Sequence, residues 1–184
     1  MKQPAVFLDR DGTLIEEVNY LHRVEDLRLF PATATALGSL KDAGYLLIVV
    51  TNQSGIGREV YCERDMHDIH DAMQKQLDGV IDAFYFCPHL PCNGCRCRKP
   101  EVGMIESAMA DFEIDLENSW MVGDKRIDVE TGFAARLKTA LVLTGYGALH
   151  KVLLDNQPDV IVDEIGAATA AIISINSGQS HPQA

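Results

Sequence analysis

Short apolar segments alternate with amphipathic ones along this chain of 184 residues. The short apolar segments predict buried strands, because they are too short for surface helices and show little polar alternation. These predicted strands cover residues 5–8, 46–50, 83–86, 120–122, 139–143 and 160–162. Between them, apolar residues recur at three- and four-residue spacing, which is typical of helices that bury one face. The clearest predicted helices span residues 32–43, 66–77 and 105–112.

The alternation of strands and helices predicts an α/β fold built on a parallel sheet with right-handed crossovers. With 184 residues, 47% of them apolar, we expect one domain over residues 1–184. The segment 174–184 is polar and contains Gly and Pro, so we predict that it is disordered. In parallel sheets, ligands bind beyond the carboxyl ends of the strands, and we expect the functional residues there.

The chain carries 16 basic and 27 acidic residues, which is a net charge of -11. A negative net charge disfavours non-specific binding to nucleic acid or to an anionic membrane surface. The sequence shows no signal peptide and no run of ~20 apolar residues, so we expect a cytoplasmic protein. Four of the five Cys residues lie between positions 87 and 97, which favours metal binding in a reducing compartment over disulfides.

Two acids follow the first predicted strand, in the segment 9–13 with the sequence DRDGT. A carboxylate at the end of a buried strand is costly unless it is paired with a cation. We therefore expect Asp9 and Asp11 to share a metal ion, with one of them available for acid–base chemistry. The spacing does not fit a calcium loop, because Gly12 is at its fourth position rather than its sixth and Tyr20 is at its twelfth.

Polar residues also follow the second predicted strand. Thr51 and the turn of Asn52, Gln53, Ser54 and Gly55 present a hydroxyl and backbone N–H groups that suit an anion. The same composition is found in ordinary turns, which is the alternative for this segment taken alone.

Cations and further acids come later in the chain. Arg98 and Lys99 form a basic pair before a predicted helix, and Asp124 follows the fourth predicted strand, with Lys125 directly after it. Asp128 has two possible roles: it holds water bound to the metal, or it only lies in the first turn of the next helix, where the helix dipole favours an acid.

These motifs resemble those of the haloacid dehalogenase (HAD) superfamily of phosphotransferases. The match covers the sequence DRDGT at 9–13, then Thr51, then Lys99, then Gly123 and Asp124. The resemblance implies a Rossmann-like sheet with helices on both faces, a magnesium cofactor and a covalent aspartyl-phosphate mechanism. It implies that Asp9 is the nucleophile, and that Asp11 protonates the leaving oxygen and then activates water. Asp9, Asp124 and the Asp11 carbonyl would hold magnesium.

The chemistry of phosphate esters is consistent with these roles. A carboxylate attacking a dianion is opposed by charge, so magnesium and Lys99 must neutralise the transferred oxygens, and Thr51 would complete the cradle. Few residues separate Asp9 from Thr51, and most of them are needed for a crossover. We therefore expect no large cap and an open site.

The cysteine segment offers three thiols and an imidazole in one short loop, residues 87–97. Cys87, His89, Cys95 and Cys97 suit a closed, structural zinc site. Cys92 provides two alternatives: a zinc site in which it replaces His89, or an iron–sulfur site with C-x4-C-x2-C spacing.

Within the superfamily, the segments 51–56 and 87–100 resemble a zinc-containing branch that acts on a heptose 1,7-bisphosphate or on histidinol phosphate. Segments 16–22 and 54–58 favour removal of the 7-phosphate of the heptose, whose second phosphate would need an additional cation. The spacer in the cysteine loop resembles the histidinol branch equally, so that substrate is the alternative. The predicted substrate-binding residues are Glu17, Val18, Asn19, Tyr20, Asn52, Gln53, Ser54, Arg98 and Lys125.

Other classes of function compete with this hypothesis. An inactive zinc-binding scaffold has no reason to retain Asp9 and Asp11 beside Lys99, and a polynucleotide phosphatase is disfavoured by the acidic composition. A redox role would require the iron–sulfur alternative. We therefore predict a monomeric phosphatase that acts on a small phosphorylated molecule, with no nucleic-acid or membrane partner.

Overall fold

The computed structural model describes residues 2–178, and in them the strands form one six-stranded sheet. The strands are β1 (Ala5–Leu8), β2 (Leu46–Asn52), β3 (Ala83–Cys87), β4 (Trp120–Gly123), β5 (Lys138–Val142) and β6 (Val160–Val162). Their order across the sheet is β3-β2-β1-β4-β5-β6, and all neighbouring strands are parallel. The predicted α/β fold with a Rossmann-like parallel sheet is therefore confirmed.

Seven α-helices connect and follow these strands in the described residues. They are α1 (Thr33–Asp42), α2 (Ser54–Gly57), α3 (Glu63–Gln76), α4 (Gly103–Asp111), α5 (Arg126–Ala134), α6 (Gly147–His150) and α7 (Ile165–Gly178). Single 3-10 turns lie at Val24–Asp26, Pro91–Asn93, Leu116–Asn118 and Lys151–Leu153. The three helices predicted from spacing correspond to α1, α3 and α4, with their ends displaced by a few residues.

Helices cover both faces of the sheet, because side chains alternate between the two faces along each strand. Val6 and Leu8 of β1 pack on one face with α1, α3 and α7. Phe7 packs on the opposite face with α4, and α5 lies against β4 and β5. Both faces of β1 are buried, which explains its uninterrupted apolar sequence.

The prediction of a disordered tail starts too early in the sequence. Residues 174–178 belong to α7, which runs from Ile165 to Gly178, and the rest of the predicted tail lies outside the described residues. Asn176 holds the end of this helix, since its side-chain amide donates to the Tyr45 hydroxyl at 2.6 Å and to the Asn118 carbonyl at 3.0 Å. These partners are distant in sequence, so composition alone did not indicate them.

The strand order places β1 at the centre of the sheet, between β2 and β4. The chain runs outward from β1 in one direction through β2 and β3, and in the other through β4 to β6. This reversal creates a crevice beyond the carboxyl end of β1, where ligands of such sheets bind. Between β1 and α1 the only helical segment is the turn Val24–Asp26, so that connection forms no large cap. No helix in residues 2–178 has both the length and the apolar character needed to span a membrane.

Candidate active site

The ends of β1, β2 and β4 bring most of the predicted site residues to one cleft of about 240 Å³. Asp9 follows β1 directly, Thr51 lies near the end of β2, and Asp124 follows β4. The cleft is lined by Asp9, Asp11, Glu17, Val18, Asn19, Tyr20, Thr51, Asn52, Gln53, Ser54, Lys99 and Lys125. Arg98 is the one predicted catalytic or substrate-binding residue that does not line it. The sequence therefore indicated which residues gather here, while their individual roles stay predictions.

Asp9 lies buried at the base of the cleft, where its Oδ1 accepts a hydrogen bond from the Arg10 backbone N–H at 2.8 Å. The same oxygen is 2.9 Å from Nζ of Lys99. Burial disfavours the charged form of Asp9, but the charges of Lys99 and Lys125 outweigh it and hold its pKa below the ordinary value. Asp9 is therefore ionised near neutral pH, as a carboxylate nucleophile must be.

Lys99 also contacts Asp128, whose Oδ1 is 2.7 Å from its Nζ. Burial alone would lower the pKa of Lys99, yet the charges of Asp128 and Asp9 raise it above its ordinary value. The second oxygen of Asp128 accepts the backbone N–H of Lys125 at 2.9 Å, at the beginning of α5. Asp128 lies in the first helical turn, which is compatible with both of its predicted roles, and it forms an ion pair that the sequence did not indicate.

Three carboxylates converge beside this ion pair and form a candidate metal site. One oxygen from each of Asp9, Asp124 and Asp128 lies within 4.8 Å of the others. Oδ2 of Asp124 accepts the Tyr146 backbone N–H at 2.8 Å. Oδ1 of Asp124 is buried and has no hydrogen-bond donor among residues 2–178, since Nζ of Lys125 is 3.6 Å away. An unpartnered buried oxygen in a set of carboxylates fits a hard divalent cation such as magnesium.

The environment of Asp124 points to a cation in the same place. Burial and the negative charges of Asp9 and Asp128 raise the pKa of Asp124 to about 8. The backbone also approaches Asp124 closely, because a Cβ atom at either Gly12 or Gly145 would lie 2.3 Å from its Oδ2. Both glycines have positive φ angles, 86° and 52°, so side chains are excluded there by conformation as well as by space.

Asp11 is not part of the converging carboxylates; instead, its carboxylate is held by Arg10 and Gln53. Nε and Nη2 of Arg10 donate to its two oxygens at 3.0 Å each, and Nε2 of Gln53 donates to Oδ2 at 2.9 Å. Arg10 is buried beneath the site although it is a charged residue. The predicted acid–base residue therefore sits in a fixed hydrogen-bonding environment.

Two amides that we predicted to bind substrate are engaged within the protein. Gln53 contacts Asp11, Thr51, Arg10 and Tyr61 through its side chain. The Asn52 side chain donates to the carbonyl of Lys99 at 3.2 Å and accepts its N–H at 3.0 Å. Both amides therefore make hydrogen bonds to predicted site residues, and their predicted contact with substrate stays a prediction. Two neighbouring residues therefore bond to Asp11 and Lys99, which are 42 and 47 positions away in the sequence.

Two predicted substrate residues pair with each other at the mouth of the cleft. Oε2 of Glu17 is 3.0 Å from Nζ of Lys125, which also lies 5.2 Å from the centre of the Tyr146 ring. Burial raises the pKa of Glu17 despite the charge of Lys125. Burial acts to lower the pKa of Lys125, but the surrounding acids, Asp9 and Asp124 foremost, raise it. The segment that carries Glu17 is thus tied to the residue after Asp124.

The cysteine loop brings Cys87, His89, Cys95 and Cys97 together, with one ligand atom from each within 4.8 Å of the others. Sγ of Cys87 is 3.5 Å from both Nδ1 of His89 and Sγ of Cys95. Cys92 is exposed and is not part of this set. Three thiols and one imidazole at these separations suit tetrahedral zinc. The geometry favours His89 over Cys92 as the fourth ligand and disfavours the iron–sulfur alternative.

Arg98 faces a second cleft of about 520 Å³, which shares Lys99 and Ile127 with the first. Its Nη1 donates to the carbonyl of His89 at 3.0 Å, so the loop that carries the zinc candidates also holds this guanidinium. Arg96 lines the same second cleft. The two clefts therefore adjoin at Lys99.

Comparison with known proteins identifies the family. Residues 96–168 match the family model described as HAD-hydrolase-like. The chain is 41% identical to the D-glycero-D-manno-heptose-1,7-bisphosphate 7-phosphatase of Thermosynechococcus vestitus, over 91% of this chain and 94% of that relative. The chain belongs to the HAD-like phosphatase family.

Two further HAD-like phosphatases are similar to it. A D-glycero-beta-D-manno-heptose-1,7-bisphosphate 7-phosphatase from Haemophilus ducreyi is 42% identical, over 79% of this chain and 86% of the relative. The crystal structure of D,D-heptose 1,7-bisphosphate phosphatase from B. bronchiseptica, complexed with magnesium and phosphate, superimposes with a TM-score of 0.87. That match is 28% identical and covers 94% of this chain and 99% of the other.

The sequence did not indicate every residue that this HAD-like phosphatase places at its site. Arg10 lies inside the first motif, and its position between two acids was a signal that we did not use. Tyr61 lies in the cleft between α2 and α3 with no motif around it. Its hydroxyl donates to the side chain of Gln53, a contact that only the tertiary structure reveals.

Proposed function

We propose that the chain is a magnesium-dependent phosphatase that removes the 7-phosphate of D-glycero-D-manno-heptose 1,7-bisphosphate through an aspartyl-phosphate on Asp9. The observation that carries the proposal is the buried Asp9 carboxyl with Nζ of Lys99 at 2.9 Å, at the base of an open cleft. The names of the relatives from T. vestitus and H. ducreyi support the substrate.

The residues divide the reaction into two steps. In the first, a carboxylate oxygen of Asp9 bonds to phosphorus while the bond from phosphorus to the sugar oxygen breaks, and Asp11 gives that oxygen a proton. In the second, Asp11 takes a proton from a water molecule that attacks phosphorus, and Asp9 is released as a carboxylate. Lys99 and the Thr51 hydroxyl contact the phosphoryl oxygens during both transfers.

The metals have separate functions in this proposal. Asp9, Asp124 and the Asp11 carbonyl would hold magnesium, and Asp128 lies close enough to join them. Magnesium would supply positive charge that offsets the repulsion between a carboxylate and a phosphate dianion. The complex of the B. bronchiseptica enzyme with magnesium and phosphate supports this assignment. Zinc at Cys87, His89, Cys95 and Cys97 would hold the loop that carries Arg98 and Lys99.

The adjoining second cleft favours a bisphosphate over histidinol phosphate. Arg96 and Arg98 line it, and it meets the first cleft at Lys99. In this proposal, a substrate with its reacting phosphate on Asp9 extends its distal phosphate past Lys99 toward these guanidiniums. The distal end of histidinol phosphate is cationic, so Arg98 would repel it, whereas Arg96 is paired with Glu106 at 3.0 Å.

A steady-state assay of phosphate release tests the proposal. We expect kcat/KM for the heptose 1,7-bisphosphate to exceed that for histidinol phosphate at least tenfold, and both anomers of the heptose should be compared. Activity should require magnesium, and Asp9→Asn should abolish it. A higher kcat/KM for histidinol phosphate would make that ester the substrate instead of the heptose bisphosphate, and full activity of Asp9→Asn would overturn the mechanism.

The predicted monomer, single domain and cytoplasmic location stay predictions. Light scattering coupled to size-exclusion chromatography tests the first, because a monomer has a mass of 20.2 kDa. Fractionation of the source cells tests the location.

A further inference from the structure

The side-chain amide of Gln53 uses both of its N–H donors and accepts two hydrogen bonds. Nε2 donates to Oδ2 of Asp11 at 2.9 Å and to Oγ1 of Thr51 at 2.8 Å. Oε1 accepts from Nη2 of Arg10 at 3.1 Å and from the Tyr61 hydroxyl at 2.5 Å. An amide has two N–H donors and two acceptor lone pairs, so no further hydrogen bond remains for substrate. Gln53 is 3% exposed and lines the base of the cleft.

These partners determine which end of the amide meets Asp11. The Tyr61 hydroxyl and Arg10 present donors, so they select the oxygen of Gln53. Oδ2 of Asp11 accepts from Arg10 as well as from Gln53, so it selects the nitrogen of the amide. Burial is the main factor that raises the pKa of Tyr61 to about 12, which keeps its hydroxyl protonated and able to donate.

Tyr61 is itself rigidly placed. Its ring lies against Gly55, where an added Cβ atom would come within 2.0 Å of it. The ring also stacks on His22, with ring centres 5.9 Å apart and planes 6° apart. The side chain is 7% exposed. Its hydroxyl is therefore held by the packing of its ring and does not depend on Gln53 for its position.

We propose that Tyr61 is a positioning residue that acts through Gln53 to hold the Asp11 carboxyl where it exchanges protons with the substrate. This inference rests on the proposed function, because it takes Asp11 as the general acid. Tyr61 does not touch the reacting atoms in it. Loss of the hydroxyl leaves the Gln53 oxygen with Arg10 as its remaining donor, so the amide is held less firmly and Asp11 samples orientations from which proton transfer is slower.

The dependence on leaving group separates this role from a structural one. A sugar alkoxide needs a proton as it leaves, whereas p-nitrophenolate is a stable anion and does not. The ratio kcat/KM covers the steps up to departure of the leaving group. A defect in the position of the acid therefore lowers kcat/KM for the sugar ester and leaves that for p-nitrophenyl phosphate nearly unchanged.

The decisive variant is Tyr61→Phe, which keeps the ring and removes only the hydroxyl. We expect kcat/KM for the heptose 1,7-bisphosphate to fall about tenfold, through kcat rather than KM, and that for p-nitrophenyl phosphate to change less than about twofold. Tyr85→Phe is the matched control, because the Tyr85 hydroxyl bonds to Asp111 and Tyr85 does not line either cleft. Thermal unfolding of both variants shows whether they are folded.

A double-mutant cycle tests the route through Gln53. Gln53→Met removes the amide at similar volume, and in that background Tyr61→Phe should have no further effect on kcat for the bisphosphate. Equal losses of Tyr61→Phe on both esters, an unchanged kcat, or additive losses in the cycle would each overturn the inference. A wild-type enzyme that hydrolyses neither ester contradicts the proposed function itself, which is a different result.

Discussion

Nζ of Lys99 lies 2.7 Å from Oδ1 of Asp128 and 2.9 Å from Oδ1 of Asp9, and the Lys99 and Asp128 side chains are each 1% exposed. One buried ammonium thus connects the predicted nucleophile to the first turn of α5. Asp128 is thereby part of the charge balance of the site, since a buried cation between two anions depends on both.

The first prediction concerns Asp128→Asn. Asparagine keeps an oxygen for the Lys125 backbone N–H but removes a charge beside Lys99 and the candidate metal site. We expect kcat for phosphate release to fall by about 100-fold and the magnesium concentration for half-maximal activity to rise. Asp155→Asn is the control, because it is the same substitution at a side chain that is 77% exposed. Unaltered magnesium dependence in Asp128→Asn would exclude a role for this carboxylate at the metal.

The second prediction concerns zinc. Elemental analysis should find one zinc per chain in the wild type and in Cys92→Ser, and markedly less in Cys97→Ser. Loss of zinc frees the loop whose His89 carbonyl holds Arg98. We therefore expect Cys97→Ser to lower both the unfolding temperature and kcat/KM for the bisphosphate. Loss of zinc from Cys92→Ser instead would assign the fourth ligand to Cys92 rather than His89.

The third prediction concerns the ion pair between Glu17 and Lys125 at the mouth. Glu17→Gln removes the charge that ties the segment of Glu17 to Lys125, so we expect KM for the bisphosphate to rise about three- to fivefold with a smaller change in kcat. The neighbouring Glu16 is exposed, and Glu16→Gln is the matched control. A loss confined to kcat would place Glu17 in the chemical step rather than in binding.

The fourth prediction concerns stability in acid and depends on His70 of α3. Burial is the main factor that lowers its pKa from 6.5 to about 3, and its ring stacks on Phe84 with centres 4.3 Å apart. The unfolded chain binds a proton at His70 below pH 6.5 and the folded chain does not, so stability falls as pH decreases from 6.5 toward 3.

In His70→Leu, the free energy of unfolding should fall less as the pH decreases from 6.5 to 3, by on the order of 5 kcal/mol over that interval. Urea unfolding at several pH values measures it. His67, at an exposed position of the same helix, adds a smaller charge effect that lowers the same pKa, so His67→Leu should reduce the pH dependence of stability only slightly. Parallel pH dependences of His70→Leu and the wild type would contradict the assignment of acid sensitivity to His70.

Local sequence was sufficient to predict the strands, the acids at their ends and the Cys/His cluster of the loop 87–97. The apolar run 5–8 is followed at once by Asp9, and β4 by Asp124, so the strand pattern alone brought these acids to one edge of the sheet. The spacing of Cys87, Cys95 and Cys97 likewise indicated a metal site. Each signal depends on residues that are near one another in the chain.

The hydrogen-bond partners of the side chains could be identified only from the tertiary structure. Asn52 and Gln53 belong to a segment whose composition suits a turn that binds an anion. In the folded chain, however, their side-chain amides bond to Lys99 and Asp11. Tyr61 acquires its contact because Gly55 leaves room for its ring. The end of α7 is stable because Asn176 bonds to Tyr45 and Asn118.

The sequence by itself thus determined the strand and helix pattern and the chemical groups that the site contains. The tertiary structure alone decided which donor faces which acceptor, as in the pairing of Lys99 with Asp128 and of Gln53 with Asp11 and Tyr61. The physical reason is that periodicity is a property of neighbouring residues. A hydrogen bond between distant side chains depends instead on how whole elements pack against each other.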